Sequence, residues 1–406
     1  MYARFSLFAG FLAAAGLPIY IHAPKFYADN YGVSLAGIAT ALVVLRLLDV
    51  VQDPLLGRLA GHLGRYRATA AIIAGMIMIA GMIGLFAITP PLAPLLWMSL
   101  CLVALFSGYS FLTILFYARG VAVAGSGGAN GHVRLASWRE FGALAGISLA
   151  SIAPFVFQVA GFVPYTAYAL AFGALALGAL VAMHPLWSDA PDTPAPGYFA
   201  LLSDPQIRKL LLIGFFNAAP VAVTSTLFLF FVDYRLGMGS SAGLFLLLFF
   251  VAAAVAAPLW AGLTRHWGVR NTLSAAMALS IAAFAGAFML SDGQAVAFAI
   301  ICVASGAALG ADMTLLPALF SSHIAASRAD GAMAFGLWNF AAKLTLAIAA
   351  ATVLPALGQA GFSTTEPNSD TALMRLSVLY ALVPCLLKLI ALGLLWSTSS
   401  QRGQPC

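Results

Sequence analysis

Apolar runs of about 20 residues, the length at which a helix crosses the hydrocarbon core of a bilayer, follow one another along this chain with only short polar breaks. Twelve are long enough to span: residues 4–27, 33–57, 68–88, 95–118, 137–160, 163–184, 209–232, 239–263, 271–290, 295–320, 331–356 and 374–396. In lipid each backbone N–H and C=O needs a partner inside the protein, so such segments fold as helices. Composition agrees. Of the 406 residues 8% are charged, where a soluble domain carries about 25%. The expected fold class is an all-α polytopic membrane protein, with twelve transmembrane helices in two pseudo-symmetric six-helix bundles. The net charge of +6 does not point to nucleic acid, because the basic residues lie in short loops between apolar spans. Cys101, Cys302, Cys385 and Cys406 show neither metal spacing nor a disulfide framework. The first apolar segment lacks a small-residue cleavage site and is expected to belong to the fold rather than to a signal peptide.

The longest polar interruption runs from His184 to Lys209 and holds Pro185, Pro191, Pro194, Pro196 and Pro205 with Asp189, Asp192 and Asp204. It reads as a linker. The expected organisation is an N-terminal bundle at 1–184, a cytoplasmic linker at 185–208, a C-terminal bundle at 209–397 and a cytoplasmic tail at 398–406. With the N-terminus inside, twelve loop Lys and Arg residues fall on the inner side and three (Lys25, Arg235, Arg375) on the outer. The excess of positive charge belongs to the cytoplasm, so both termini are expected there, in a cell membrane.

The halves repeat. Pro54-Leu55-x-x-x-Leu59-x-x-His62-x-Gly64 recurs as Pro258-Leu259-x-x-x-Leu263-x-x-His266-x-Gly268, at a constant offset of 204 residues. Duplicated six-helix halves are a transporter architecture, with the substrate site between them at mid-membrane. The same offset maps Asp49 onto Ala253 and Asp53 onto Ala257, so the scaffold is duplicated and the acids are not. On a helix Arg46, Asp49 and Asp53 share one face. Each ionised residue at the bilayer centre costs about 2.5–3.5 kcal/mol, which an inert anchor would not carry. The stripe reads as an ion or proton site. The rival reading is a structural pair in which Arg46 neutralises Asp49. Carboxylate oxygens suit a hard cation such as Na⁺, and two carboxylates this close suit a shared proton equally.

Arg46-Leu-Leu-Asp49-Val-Val-Gln52-Asp53-Pro54-Leu-Leu-Gly57 resembles the helix II signature of the glycoside–pentoside–hexuronide:cation symporters, within the major facilitator superfamily. YADNYGVSLAGIAT before it, PLWAGLTRHWG after helix VIII, GADMTLLP in helix X and NFAAKLTLAIAA in helix XI fit the same pattern in the same order. The resemblance covers most of the chain. It implies the major facilitator fold and a cation site shared by helices II and IV: Asp49 and Asp53, with Gln52 and Ser110. The family's helix IV Tyr-Thr pair falls on Tyr109-Ser110, its helix V arginine on Arg139 and its helix XI lysine on Lys343. The family's sugar-binding aspartates of helices I and IV fall on Ala13 and Thr113, which argues against a galactoside bound in the usual way. His62 stands where many superfamily members carry an acid.

The solute is expected to meet Tyr20, Tyr109, Thr113, Tyr117, Trp138, Arg139, Trp338, Asn339 and Lys343, with Asn217, Thr224 and Ser225 as further hydrogen-bonding groups. Packing or interface anchoring is the competing reading for the aromatics. Glu140 lies on a different helix face from Arg139 and reads as solvated. Lys388 reads as snorkelling to the inner surface, Asp312 as structural in a kinked helix, and His22 and Lys25 as lining the outer mouth. No phosphate loop, HExxH or GxSxG is present, so no enzyme activity and no cofactor are expected beyond Na⁺ or H⁺ as coupling ion. The expected function is secondary active transport of a small organic solute, sugar-like by family, by a monomer in the lipid bilayer. The alternatives are a lipid or lysolipid transporter of the same fold, a proton-driven exporter, and a non-transporting sensor or scaffold.

Overall fold

A computed structural model describes residues 1–125, 128–187, 197–363 and 367–397; side chains at residues 17, 18, 20, 21, 35, 36, 39, 128, 129 and 240 also lie outside the description. The described chain is helical throughout, with no strand. Helices α1 (Tyr2–Ala14) and α2 (Leu17–Tyr31) are followed by α3 (Leu35–Gly61), α4 (Arg67–Phe86), α5 (Pro94–Ala124), α6 (Gly128–Val159) and α7 (Pro164–Trp187). Then come α8 (Tyr198–Ser203), α9 (Pro205–Phe230), α10 (Ala242–Phe288), α11 (Ala295–Ser327), α12 (Gly331–Gly358), α13 (Asp370–Ser377) and α14 (Val383–Trp396). Among the described residues, nine helices are long and apolar enough to cross a membrane.

That count falls three short of twelve: α3 (Leu35–Gly61) is not among the nine, and the other two differences have local reasons. The first predicted span is broken into α1 and α2 at Ala15–Gly16, where Gly16 turns to ψ −114° and Pro18 opens the next helix. Proline suits a first turn, where its missing N–H has no helical partner to lose. Two predicted spans run together as the 47-residue α10, interrupted at Gly268 with φ 74°. Gly268 is the last residue of the repeat, and its counterpart Gly64 also has positive φ, 45°. A side chain is strained in this left-handed region. Each copy of the repeat thus ends on a glycine with positive φ, after the second helix of its half. Part of the predicted linker is ordered. Asp204 Oδ1 accepts from the N–H groups of Gln206 (2.7 Å) and Ile207 (3.2 Å), and Pro205 follows it as a helix start.

The described chain packs as two compact units, residues 1–201 with 321–340, and residues 202–320 with 341–406. In the first, Phe5, Phe8, Phe11, Phe116, Phe172 and Trp187 form a buried aromatic core joining α1, α5 and α7. Helix α1 lies directly on α6. A Cβ added to Gly142 would come within 1.9 Å of the Ser6 carbonyl oxygen, and one on Gly146 within 2.3 Å of Gly10 O. This is the small-xxx-small packing that lets membrane helices touch backbone to backbone. Gly142→Ala is expected to lower stability by about 1–3 kcal/mol, read as a lower melting temperature in detergent. Gly178→Ala, where a Cβ meets nothing within 4 Å, is the control.

In the second unit Phe231 stacks on Tyr380 with ring centroids 4.1 Å apart, beside Phe298. Helix α11 approaches α10 through Gly306 and Gly310, whose added Cβ atoms would fall 2.2 and 2.4 Å from the carbonyl oxygens of Phe249 and Ala253. Ala253 and Ala257, the counterparts of Asp49 and Asp53, are fully buried in this contact. The repeat position that carries acids in one unit thus serves tight helix packing in the other.

Candidate cation and solute site

Helix α3 starts at Ser34, whose hydroxyl accepts from the Gly37 N–H at 3.2 Å. It carries the acidic stripe inward. Asp49 is 7% exposed and Asp53 fully buried. Gln52 donates from Nε2 to Asp49 Oδ1 at 2.6 Å, and Ser107 on α5 donates to Gln52 Oε1 at 2.9 Å. The amide therefore bridges the acid to the neighbouring helix, and its oxygen faces Ser107. Ser110, one turn on, is fully buried. Thr113 follows at the same spacing, with Oγ1 buried and accepting or donating no hydrogen bond among the described residues. Ser107 is absent from the sequence reading. Its signal was the run of hydroxyls at 107, 110 and 113, a three-residue spacing that puts all of them on one side of α5.

Pro54 follows the acids and removes the N–H that the Val50 carbonyl would accept. The inner end of α3 is held elsewhere. Tyr198 on α8 donates to the Pro54 carbonyl; burial pushes its phenol up to about 12, so it stays a donor. Gly57 fits closely here, where a Cβ would meet Tyr198 Oη at 2.9 Å and Gly336 Cα at 3.0 Å.

A second polar cluster lies on α5 and α6 of the same unit. The Arg139 guanidinium sits 3.9 Å from the Tyr117 ring centroid, and Tyr117 packs on Phe335 at 4.9 Å, which in turn meets Trp338 at 6.5 Å. Three of the residues expected to meet solute are therefore brought together. Tyr109 and Asn339 are half-buried in the same unit. Lys343 is half-buried in the other unit. Trp138 stacks on Tyr2 and borders an apolar groove of about 450 Å³ between α1, α6 and α7. The side chain of Tyr20 lies outside the described residues.

Two expectations need correcting. Glu140 is not solvated: it is 3% exposed and accepts from Arg139 Nε at 3.0 Å. The long guanidinium arm curls round the helix and closes the angle between adjacent positions. Lys388 does not snorkel. It is 1% exposed and donates to Asn217 Oδ1 at 2.7 Å and to the Asp312 carboxylate. Asp312 is accordingly the acid of a buried ion pair. Asn217 is engaged by Lys388, while Thr224 and Ser225 bond carbonyls of their own helix. His22 Nε2 meets the Ser151 carbonyl at 3.1 Å, and Lys25 pairs with Asp29 at 2.8 Å in the open.

Two solved structures resemble this fold. Both are described as a bacterial homologue of the iron transporter ferroportin in the outward-facing state, one with soaked iron. Their TM-scores are 0.70 and 0.71 at 15% and 16% identity, covering 96% and 98% of this chain and 99% of each of those chains. At that identity they speak to fold alone. No curated protein matches the sequence. Residues 6–401 match the MFS/sugar transport protein family. With the helical fold and the buried polar groups of its spans, the chain is a multi-pass membrane transporter and belongs to the MFS/sugar transport protein family of the major facilitator superfamily.

Proposed function

We propose that this transporter couples entry of Na⁺ or H⁺ to movement of a small organic solute by alternating access, as the symporter resemblance implies. The observation that carries it is the half-buried chain Asp49–Gln52–Ser107 with the buried Asp53 and Ser110 one turn away. Carboxylates and hydroxyls are hard oxygen ligands, and acids buried within a membrane bundle mark ion or proton pathways. The cation binds first and fixes α3 against α5. The solute then binds near Tyr117, Arg139 and Trp338, and the halves rock around it. Both termini lie in the cytoplasm, the membrane is the cell membrane, and one chain suffices. Among the described residues no three His, Cys, Asp or Glu side chains converge, and the oxygen set favours a monovalent ion over iron.

A sugar-like solute is the first reading. The apolar groove beside Trp138 supports lysolipid as the second. The experiment is uptake into proteoliposomes of a panel of glycosides, pentoses, hexuronates and lysolipids under an inward Na⁺ or pH gradient. Accumulation of one solute above its outside level, collapsed by an ionophore, is expected. Uptake that only equilibrates, whatever the gradient, would contradict coupling. Ser107→Ala leaves Gln52 without its anchor on α5. A lost hydrogen bond of about 0.5–1.5 kcal/mol is expected to raise the cation concentration for half-maximal uptake about three- to tenfold, with maximal rate retained.

A further inference from the structure

Asp312, Lys388 and Asn217 form a charged cluster that the cation reading leaves unused. They come from α11, α14 and α9 of one unit. Side chains of Lys388 and Asp312 are 1% and 7% exposed. The ammonium is well held, by Asn217 Oδ1 at 2.7 Å and by the carboxylate. The carboxylate has Lys388 and the Asn217 amide beside it, but its two oxygens are not equally satisfied. One oxygen takes Lys388; the other, Oδ1, is buried and accepts no hydrogen bond among the described residues. Lys388 is the charged group that meets Asp312, with the Asn217 amide beside the same carboxylate. Helix α10 sets Ala253 and Ala257 against the neighbouring Gly310 turn, and Cys385, three residues before Lys388, turns its thiol to the Ile281 carbonyl at 3.4 Å.

A pair kept for packing alone gains from satisfying both partners fully, since each buried ion has given up its hydration. Here the acceptor left over is an anionic oxygen inside a membrane bundle. We propose that Asp312 Oδ1 is a proton-binding site, with Lys388 as its counter-ion and Asn217 as the group that retains the ammonium when the proton arrives. A hydronium ion gives up one O–H bond, its proton bonds to an Oδ1 lone pair and a water molecule is released, so the cluster passes from net neutral to net +1. Neutral Asp312 no longer compensates Lys388, and a lone ammonium among apolar helices is tolerated only where it reaches water. Protonation therefore favours conformations in which water enters between α9, α11 and α14. Deprotonation favours the closed cluster. The site gives the transporter a proton dependence separate from Asp49 and Asp53; it rests on the chain being a transporter and not on which ion is coupled.

Infrared difference spectra of the full-length protein in lipid vesicles, taken between about pH 8 and about pH 5, read the C=O stretch of a newly protonated carboxyl. A band component is expected in wild type, in Asp53→Asn and in Lys388→Arg, and that component is lost in Asp312→Asn. If Asp312→Asn does not fold, Asp312→Asn/Lys388→Gln, which buries no charge, takes its place. A band unchanged in the Asp312 variant, or no band in wild type, overturns the proposal. A band lost in Asp53→Asn and kept without Asp312 also overturns it, while leaving the cation reading intact.

Discussion

Asp53→Asn protein in vesicles is expected to fold and to equilibrate its solute, yet to lose accumulation entirely. The substitution keeps the shape of a fully buried side chain and removes the charge a cation would neutralise. One charge moving through 100 mV is worth about 2.3 kcal/mol, which supports a concentration ratio of about fifty. With no cation carried, that ratio falls to about one. Asp49→Asn should act in the same direction while keeping an oxygen that can accept from Gln52. The measurement is steady-state solute inside against outside under an imposed potential, with exchange at zero gradient as the check that the protein still carries solute. Full accumulation by either variant would remove these acids from the coupling site.

Lys388→Met is expected to be the most damaging single change to stability. It leaves the Asp312 carboxylate, 7% exposed, without its cation in the interior of the second unit. Removing one partner of a buried pair costs about 3–5 kcal/mol, whereas replacing both by apolar groups of similar volume is often neutral or better. Asp312→Leu/Lys388→Met should therefore recover most of what Lys388→Met loses. Thermal melting in detergent reads both. Equal loss in single and double variants would mean that packing around these residues, not charge compensation, holds α9, α11 and α14 together.

The acids of α3 were legible in the sequence because two strong signals coincide there: charge within an apolar run, and helical spacing. The repeat was legible for a similar reason, since proline, histidine and glycine stand out in apolar sequence, and Gly64 and Gly268 both take positive φ. What the sequence hid was orientation about the helix axis. Lys388 lies eight residues from the end of α14, close enough to snorkel on length alone, and only the packing of α9 and α11 around it turns it inward. Glu140 was misjudged because helical angle was counted without the reach of the arginine beside it. The break between α1 and α2 was written in Gly16 and Pro18, but hydropathy runs smoothly across both. Residues that meet across helices, such as Ser107 with Gln52, share no local pattern, and their pairing emerges only from the fold.

The most direct test of the cation site is the melting temperature of purified protein against Na⁺, Li⁺, K⁺ and pH, with Asp53→Asn alongside. A ligand that binds only the folded state at a hundred times its dissociation constant stabilises by about 2.7 kcal/mol. The account predicts stabilisation of that order by Na⁺, or by protons if H⁺ is the coupling ion, and its disappearance in Asp53→Asn. A melting temperature that ignores every cation and pH, or a response that survives in Asp53→Asn, would contradict it.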